Sequence, residues 1–299
     1  MRPWIALALL MLLPASPLRA ETPKGRIVYA RQDGERVLLH VMNGDGTGDA
    51  VMPGQTARYN LLPAASPDGK RVAFMAMDGA PGPRVSIVTL ETGASITLEP
   101  PGPRAGLPAW SPDGKQLAFT SGNEAPAVYV AEADGSNARQ LNPPDTAGLF
   151  PFWSKDGKTV GYTRAARGGK GEIVLAKADG GGETAVTQTG QLAHGGSGAV
   201  SPDGKRIAYL VIDRNARTGG IRTLDLQTKV ENNVIDLELG YVGEFFLAPV
   251  PAWTPDGKSL ILPIAGEKGR GLYLLSEDGK TRTRLTPEGV DCMQGVWLP

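Results

Sequence analysis

The sequence is poor in the side chains that most often carry catalysis or bind metals. Its 299 residues include two histidines and one cysteine, Cys292. A single cysteine cannot form an internal disulfide, and no spacing of cysteines and histidines matches a zinc site. We therefore expect no disulfide framework, no bound metal and no other cofactor.

The sequence also lacks a net charge and a long apolar run. Lysine plus arginine and aspartate plus glutamate number 31 each, which argues against nucleic acid as a partner. The apolar run Ile5 to Leu13 is shorter than the roughly 20 residues that span a bilayer. Arg2 before it and Leu18-Arg19-Ala20 after it complete the pattern of a secretory signal peptide. We expect residues 1–20 to be removed, leaving residues 21–299 as one periplasmic or secreted domain without a transmembrane segment.

Glycine and proline, by contrast, are abundant, with 40 and 25 residues, and many of them belong to a repeated turn. Successive copies place their aspartates 45, 43, 47 and 53 residues apart, the length of one four-stranded propeller blade. Proline and glycine suit the turn, and the aspartate can bond the backbone ahead of it, so we interpret these aspartates as structural. The copies are Ser66-Pro67-Asp68-Gly69-Lys70, Ser111-Pro112-Asp113-Gly114-Lys115, Ser154-Lys155-Asp156-Gly157-Lys158, Ser201-Pro202-Asp203-Gly204-Lys205 and Thr254-Pro255-Asp256-Gly257-Lys258.

The residues around each turn follow the order of a blade. Alternating strands such as Arg71 to Phe74 follow the turns, and a second Asp-Gly turn comes later in each unit. A tryptophan often precedes the turn, and we predict that it packs between neighbouring blades, where a large ring buries much surface. These tryptophans are Trp110, Trp153, Trp253 and Trp297.

Both ends of the chain carry incomplete blade material. Arg26 to Tyr29 matches a second strand and Val37 to Val41 a third, but no first strand precedes them. Gly295-Val296-Trp297 matches the missing strand at the other end of the chain. The sequence therefore predicts an all-β, six-bladed propeller closed by pairing of the C-terminal strand with the N-terminal blade, which leaves no open sheet edge.

The Trp-Ser-Pro-Asp-Gly-Lys segments resemble those of TolB-type propellers, a family with WD-type repeats, from about Lys24 to Pro299. The resemblance implies a partner-binding role in the bacterial cell envelope. TolB carries an α/β domain before its propeller, whereas only Glu21 to Gly25 separate the expected cleavage site from the first strand here. We therefore expect the propeller without that domain.

Backward alignment from the turns suggests a recognition site at the mouth of a central funnel. It places Tyr59, Arg104, His194 and Asp291 in equivalent positions, where they would form a polar ring suited to a carboxylate or a partner loop. The alternative is that this ring only solvates a water-filled channel. Phe150 and Phe152 lie close by in the sequence and are candidates for an apolar lip.

Loops between second and third strands are the other candidate surface, because function often resides in loops on a rigid scaffold. Several arginines in them favour an acidic protein patch or an anionic glycan, and ordinary solvated charges are the alternative. These arginines are Arg164, Arg167, Arg214 and Arg217.

Catalytic signals are weak, and we expect binding rather than catalysis. His194-Gly195-Gly196-Ser197-Gly198-Ala199 only approximates a nucleophile elbow, and no hydrolase domain accompanies it. The leading hypothesis is a non-enzymatic module that binds another envelope protein. The alternative is a carbohydrate-active propeller that binds an anionic glycan or acts like an oligogalacturonate lyase, with His194 and Arg104 as base and charge stabiliser.

Overall fold

The computed structural model describes residues 24–79, 82–144, 146–165, 170–187, 192–193, 198–213, 218–238 and 250–299. The expected signal peptide, residues 1–20, lies outside them. Within these ranges the chain forms strands and turns and no helix, so the protein is all-β. The same part of the chain accordingly has no helix of the length and apolarity needed to cross a membrane.

Most strands are short and are joined in chain order by tight hairpins. This order follows from the repeated turns, because each one reverses the chain after a few alternating residues. The strands are β1 (Arg26–Asp33), β2 (Arg36–Asn43), β3 (Ala50–Val51), β4 (Tyr59–Ala65), β5 (Arg71–Met77), β6 (Arg84–Thr89), β7 (Ser95–Thr97), β8 (Ala105–Trp110), β9 (Gln116–Ser121), β10 (Ala127–Glu132), β11 (Arg139–Gln140), β12 (Ala147–Trp153), β13 (Thr159–Ala165), β14 (Lys170–Lys177), β15 (Glu183–Ala185), β16 (Leu192–Ala193), β17 (Gly198–Val200), β18 (Arg206–Asp213), β19 (Thr218–Asp225), β20 (Glu231–Glu238), β21 (Ala252–Trp253), β22 (Ser259–Gly266), β23 (Gly269–Ser276), β24 (Arg282–Arg284) and β25 (Cys292–Leu298).

In the described ranges these strands form five sheets, which gives the fold of a β-propeller. Four sheets are separate blades of four or five strands, formed by β8–β11, β12–β16, β17–β20 and β21–β24. The remaining strands make one eight-stranded sheet. Within it, the backbone pairing of β2 with β4 consists of a single parallel bridge between Val37 and Tyr59.

The two ends of the chain meet in the eight-stranded sheet. β25 pairs antiparallel with β1, with Leu298 opposite Arg26 and Trp297 opposite Ile27. The Gln32 amide also donates to the Asp291 carbonyl at 2.9 Å. The last strand of the chain therefore lies beside the first, which is the pairing that the sequence led us to expect.

The repeated turns share one hydrogen-bond pattern, which the second copy illustrates. The Ser111 hydroxyl and the Lys115 amide both donate to Oδ1 of Asp113, at 2.6 and 3.1 Å. These two bonds hold the pKa of Asp113 below its usual value. Gly114 takes the left-handed conformation, with φ of 69°. The corresponding bonds recur in the other four copies, so the structural role predicted for these aspartates is confirmed.

The tryptophans beside the turns pack between blades, as predicted. The Trp110 indole is buried, and its Nε1 donates to the Ala64 carbonyl of β4 at 3.1 Å. Trp153 and Trp253 make the equivalent bonds. The Arg71 guanidinium on β5 lies 4.4 Å from the centre of the Trp110 ring, a cation–π contact that further links the two sheets.

Candidate functional site

Three of the strands that directly precede a repeated turn carry the same backbone distortion. β4, β8 and β12 each contain a β-bulge, and within the bulges Leu62, Leu107 and Phe150 have φ values of 55°, 56° and 53°. Such a conformation costs a residue other than glycine about 1–3 kcal/mol and persists only where the surrounding structure imposes it. Each of the three residues is followed by a proline, whose missing N–H is tolerated at a bulge.

These bulges line a central cavity of about 330 Å³. Leu62, Leu107 and Phe150 are buried there in one hydrophobic cluster with Met293, and the partly buried Val250 packs against them. The described lining consists of glycine, proline and apolar or aromatic side chains, apart from Gln294. The cavity is therefore suited to an apolar side chain from a partner, because removal of apolar surface from water drives association.

Gln294 supplies the one polar side chain of this lining. It lies three residues before Trp297, just as Leu107 lies three residues before Trp110. Its side chain is 2 % exposed, and its Oε1 accepts a hydrogen bond from the Leu62 amide at 3.4 Å. The side-chain amide of Gln294 is thus fixed at the cavity wall and gives the cavity one oriented polar group.

The structure places the predicted ring residues at equivalent points of their blades. Tyr59 is the first residue of β4, while Arg104 and Asp291 immediately precede β8 and β25. In the described residues, no hydrogen bond or ion pair joins the side chains of these three. The fourth member of the ring, His194, lies outside the described residues.

Asp291 is engaged by a neighbouring arginine. Its Oδ1 and Oδ2 accept bonds from Nε and Nη2 of Arg270, each at 2.8 Å, and the Arg270 amide adds a third at 3.0 Å. This pairing holds the pKa of Asp291 below its usual value. The carboxylate therefore fixes the start of β25 against β23 and already has a cationic partner.

The two remaining described members of the ring also lie against their own surroundings. The Arg58 guanidinium lies over the Tyr59 ring, 5.5 Å from its centre. Arg104 is exposed, and its aliphatic stem lies beside Gly82. The described members of the expected polar ring therefore occupy matching positions in the chain but contact their own neighbours. The central cavity itself is lined mainly by apolar side chains.

The two phenylalanines both line the central cavity, but their rings pack in different hydrophobic clusters. Phe150 belongs to the central cluster with Leu62 and Leu107. Phe152 packs in a separate cluster with Ile173 and Ile207, between two blades. In a regular strand these two residues would face the same side, so their separation comes from the bulge between Leu149 and Phe152, which breaks the alternation of side chains.

Arg164 is neutralised within its own blade. Its guanidinium pairs with Glu172, which is buried, and with Glu183, which also accepts a bond from the Tyr162 hydroxyl. A guanidinium held by two carboxylates is not free to attract an anionic ligand. The other predicted loop arginines, Arg167, Arg214 and Arg217, lie outside the described residues.

Sequence reasoning missed the bulges, although a signal for them is present. In each case an apolar residue followed by proline precedes the tryptophan position, the apolar residue by three places and the proline by two. The pairs are Leu62-Pro63, Leu107-Pro108, Phe150-Pro151 and Val250-Pro251. Proline inside a strand argues for a bulge or an edge, so this recurrence marks the inner wall of the propeller.

The described residues contain no cluster of three or more His, Cys, Asp or Glu side chains able to hold a metal ion. Residues 22–299 match PD40, the TolB beta propeller domain. The chain belongs to this family. A search of curated proteins found no match.

Solved structures share the fold of this TolB propeller domain. TolB from Acinetobacter baumannii superposes with a TM-score of 0.73 at 23% identity, over 92% of this chain and 67% of that one. A putative TolB from Agrobacterium tumefaciens gives 0.64 at 15% identity, over 93% and 99%. An oligogalacturonate lyase in complex with manganese gives 0.59 at 17% identity, over 83% and 73%. At these identities the likeness is one of fold, and a fold hosts many functions.

Proposed function

We propose that this TolB-family chain is a non-enzymatic protein-interaction module of the cell envelope, and that the central cavity is its contact site. The observation that carries the proposal is an apolar cavity built on three strained bulges. Burial of an apolar side chain there contributes about 25 cal/mol per Å². The described lining offers one amide, of Gln294, and no carboxylate or imidazole for acid–base catalysis. The neutralised Arg164 gives an anionic-glycan or lyase function no support.

The test introduces polarity into the cavity without changing the backbone. Asparagine tolerates a positive φ, so Leu107→Asn keeps the bulge at φ of 56° and removes an apolar wall. Val51→Asn is the matched control, because Val51 is 53 % exposed on the outer strand β3. After cross-linking in intact cells, we expect one protein to be captured reproducibly by the parent and by Val51→Asn but not by Leu107→Asn. Equal capture by all three proteins rules out the cavity as the contact site.

We also propose that the blades number six and close into a ring. The pairing of β25 with β1 supports this, as does the single bridge through which the eight-stranded sheet divides into two blades of four strands. Closure protects edges that would otherwise pair with other chains. An experimental structure with any other number of blades around the axis contradicts the proposal.

The proposed location is the periplasm. The family match and the N-terminal pattern of a charged residue, an apolar run and a small-residue site support it. N-terminal sequencing of the protein from an osmotic-shock fraction is expected to begin at Glu21. Recovery in the cytoplasm with Met1 in place contradicts both the export and the envelope role.

A further inference from the structure

A network of five polar side chains lies around β1 and β2, and we call it the His40 network. Its members come from these two strands and from the residue that directly precedes β3. They are Tyr29, Arg31, Asp33, His40 and Asp49. No member lines the central cavity, so the network is separate from the proposed contact site.

His40 lies at the centre of this network, with a carboxylate on each side. Its side chain is 5 % exposed. Nε2 lies 2.8 Å from Oδ2 of Asp33, and Nδ1 lies 3.1 Å from Oδ1 of Asp49. An ionised carboxylate only accepts hydrogen bonds, and an imidazole donates from both nitrogens only when it carries two protons. Both bonds are therefore complete only in the imidazolium form of His40.

The charges of the network balance in this same form. Arg31 binds both carboxylates, with Nε 2.9 Å from Oδ1 of Asp33 and Nη1 2.7 Å from Oδ2 of Asp49. A guanidinium is always charged. One guanidinium and one imidazolium thus neutralise two carboxylates, whereas loss of a proton from His40 leaves one negative charge without compensation.

Another blade has a permanent cation at the position of His40. Tyr29 pairs with His40 across β1 and β2, and Tyr209 at the matching place of β18 pairs with Arg222. Both tyrosine hydroxyls donate to an acidic residue at the beginning of the outer strand. Histidine in place of arginine makes the charge at this position dependent on pH.

The blade of β12–β16 has no cation at this position. Val174 lies opposite the tyrosine there, and Arg164 alone pairs with Glu172 and Glu183. Burial raises the pKa of Glu183, so this carboxyl favours its neutral form more than an exposed one does. A network of two carboxylates with one guanidinium thus favours an added proton, and in the His40 network the imidazole is the group that carries it.

The neighbouring ionisable groups keep their charge where histidine titrates. They are Tyr29 within the network, and Asp291 and Cys292 at the beginning of β25, which pairs with β1. Burial raises the pKa of the Tyr29 hydroxyl, and it raises the pKa of the Cys292 thiol to about 11. Bonds from a neighbouring arginine lower the pKa of Asp291. Histidine titrates between about pH 5 and pH 8, so His40 is the member whose charge changes in this range.

Loss of one proton from the ring breaks one of the two bonds. The neutral ring has a proton on one nitrogen, and the shorter distance, to Asp33, favours Nε2. Nδ1 then turns a lone pair toward Asp49. Asp49 directly precedes β3, a strand of two residues. It keeps its bonds to Tyr29 and Arg31, so β3 loosens but does not detach.

We propose that His40 is a pH-sensitive clamp, which fastens β3 through Asp49 when the ring carries two protons and loosens it when the ring carries one. The clamp is closed on the acid side and opens as the pH rises, because both bonds are donated by the imidazolium. It does not depend on the proposed function, since the His40 network and the central cavity share no residue.

The test follows hydrogen exchange of two backbone amides in the full mature protein from pH 5.5 to pH 9. The Met52 amide donates to the Leu39 carbonyl beside β3, and the Leu98 amide donates to the Val85 carbonyl at the matching place beside β7. Ser86 occupies the position of the histidine in that second blade. Protection factors allow for the intrinsic pH dependence of exchange. We expect protection of Met52 relative to Leu98 to fall about tenfold as the pH rises, since a bond to a charged group is lost.

Nitrogen NMR of the imidazole rings gives a second, direct measurement. The chain has two histidines, so His40→Gln identifies the signals of His40 by their loss. We expect two protons on the His40 ring at pH 5.5 and one at pH 9. The glutamine amide has the same donor and acceptor at every pH, so His40→Gln should make the protection of Met52 independent of pH and similar to that of the parent at pH 9.

His194→Gln is the control, because it removes the other histidine, and it should retain the pH dependence of the parent. Any of four results overturns the proposal. These are parallel protection of Met52 and Leu98 in the parent, an unchanged number of protons on the His40 ring from pH 5.5 to pH 9, pH-dependent protection of Met52 in His40→Gln, or loss of that dependence in His194→Gln.

Discussion

Single side chains join neighbouring blades, and the tryptophans do so in two different ways. Trp110 is buried and donates its indole N–H to Ala64. Trp297 is buried to a similar extent, but its Nε1 has no hydrogen-bond partner in the described residues. Both rings are buried, but Trp110 has an indole hydrogen bond and a cation–π contact with Arg71 that Trp297 lacks in the described residues.

We expect Trp110→Phe to destabilise the protein by about 1 kcal/mol more than Trp297→Phe. Both changes remove the same atoms, but only the first breaks a hydrogen bond, which typically contributes about 0.5–1.5 kcal/mol net. It also weakens the cation–π contact with Arg71, since Phe binds a cation less well than Trp. Urea unfolding of both variants and the parent provides the measurement. Equal losses would mean that the Trp110 bond adds nothing beyond packing of the ring.

The turn aspartates make stability depend on pH in a defined direction. The Ser111 hydroxyl and the Lys115 amide lower the pKa of Asp113, so the folded state favours the ionised carboxyl. Its contribution is therefore present above the ordinary carboxyl pKa of about 4 and is lost as the pH falls through the lower folded value. Asp113→Asn should reduce stability at neutral pH and weaken the decline toward acid. Urea midpoints measured from pH 7 to pH 3 check this, and parallel curves for parent and variant contradict it.

At this scale the sequence predicts local contacts better than distant ones. The bonds of Asp113 involve residues two positions away, so the turn pattern implied them. The pairing of Arg164 with Glu183 joins strands of one blade, and that of Asp291 with Arg270 joins two different sheets. The turn pattern does not say which side chains of different strands meet, so both charged side chains were predicted to face a ligand.

The blades, as elements, contact one another through their turns as well as their faces. A Cβ added at Gly46 would lie 2.2 Å from the carbonyl oxygen of Leu285, which directly follows β24 of the neighbouring sheet. A Cβ added at Gly180 would meet nothing within 4 Å. Both glycines follow an aspartate in a second turn, and both have positive φ, 86° and 97°. The turn pattern predicted both turns but could not distinguish the packed one from the open one.

Alanine substitution at these two glycines separates backbone strain from packing. Gly180→Ala should cost about 1 kcal/mol, since it forces a left-handed conformation on a residue with a side chain. Gly46→Ala should cost at least about 1 kcal/mol more, because overpacking adds to the same strain. Thermal and urea unfolding compare the two. Similar losses would argue against close contact between the turn of Gly46 and the strand near Leu285.

For the whole molecule, stability depends on the strand that joins the two ends of the chain. β25 buries Cys292, Trp297 and Leu298 and pairs with β1 along its length. The match of Gly295-Val296-Trp297 to the tryptophan-bearing strands of the other blades made this partner predictable, because the first blade lacked a strand of that kind. The six blades and the closed ring were predicted from the same observation, namely a first blade that lacks one strand and an extra strand at the other end of the sequence.

Deletion of residues 292–299 should lower stability by several kcal/mol, a large share of the 5–15 kcal/mol typical of a domain. The control is a permuted chain in which these residues are moved to precede Lys24, so that the strand is kept and only its connection changes. We expect the permuted protein to unfold cooperatively near the parent and the deleted one to be aggregated or largely unfolded. A deletion variant that melts with the parent contradicts a central role for β25.

The pairing of β25 with β1 also has a consequence for folding. β1 gains β2 from the segment that follows it, but its second neighbour, in which Gly295 pairs with Tyr29, comes from a strand far away in the chain. Contacts so far apart in the chain form slowly and leave early segments unprotected. Until β25 reaches β1, the folding polypeptide therefore has an unsealed seam, open to proteases and chaperones alike.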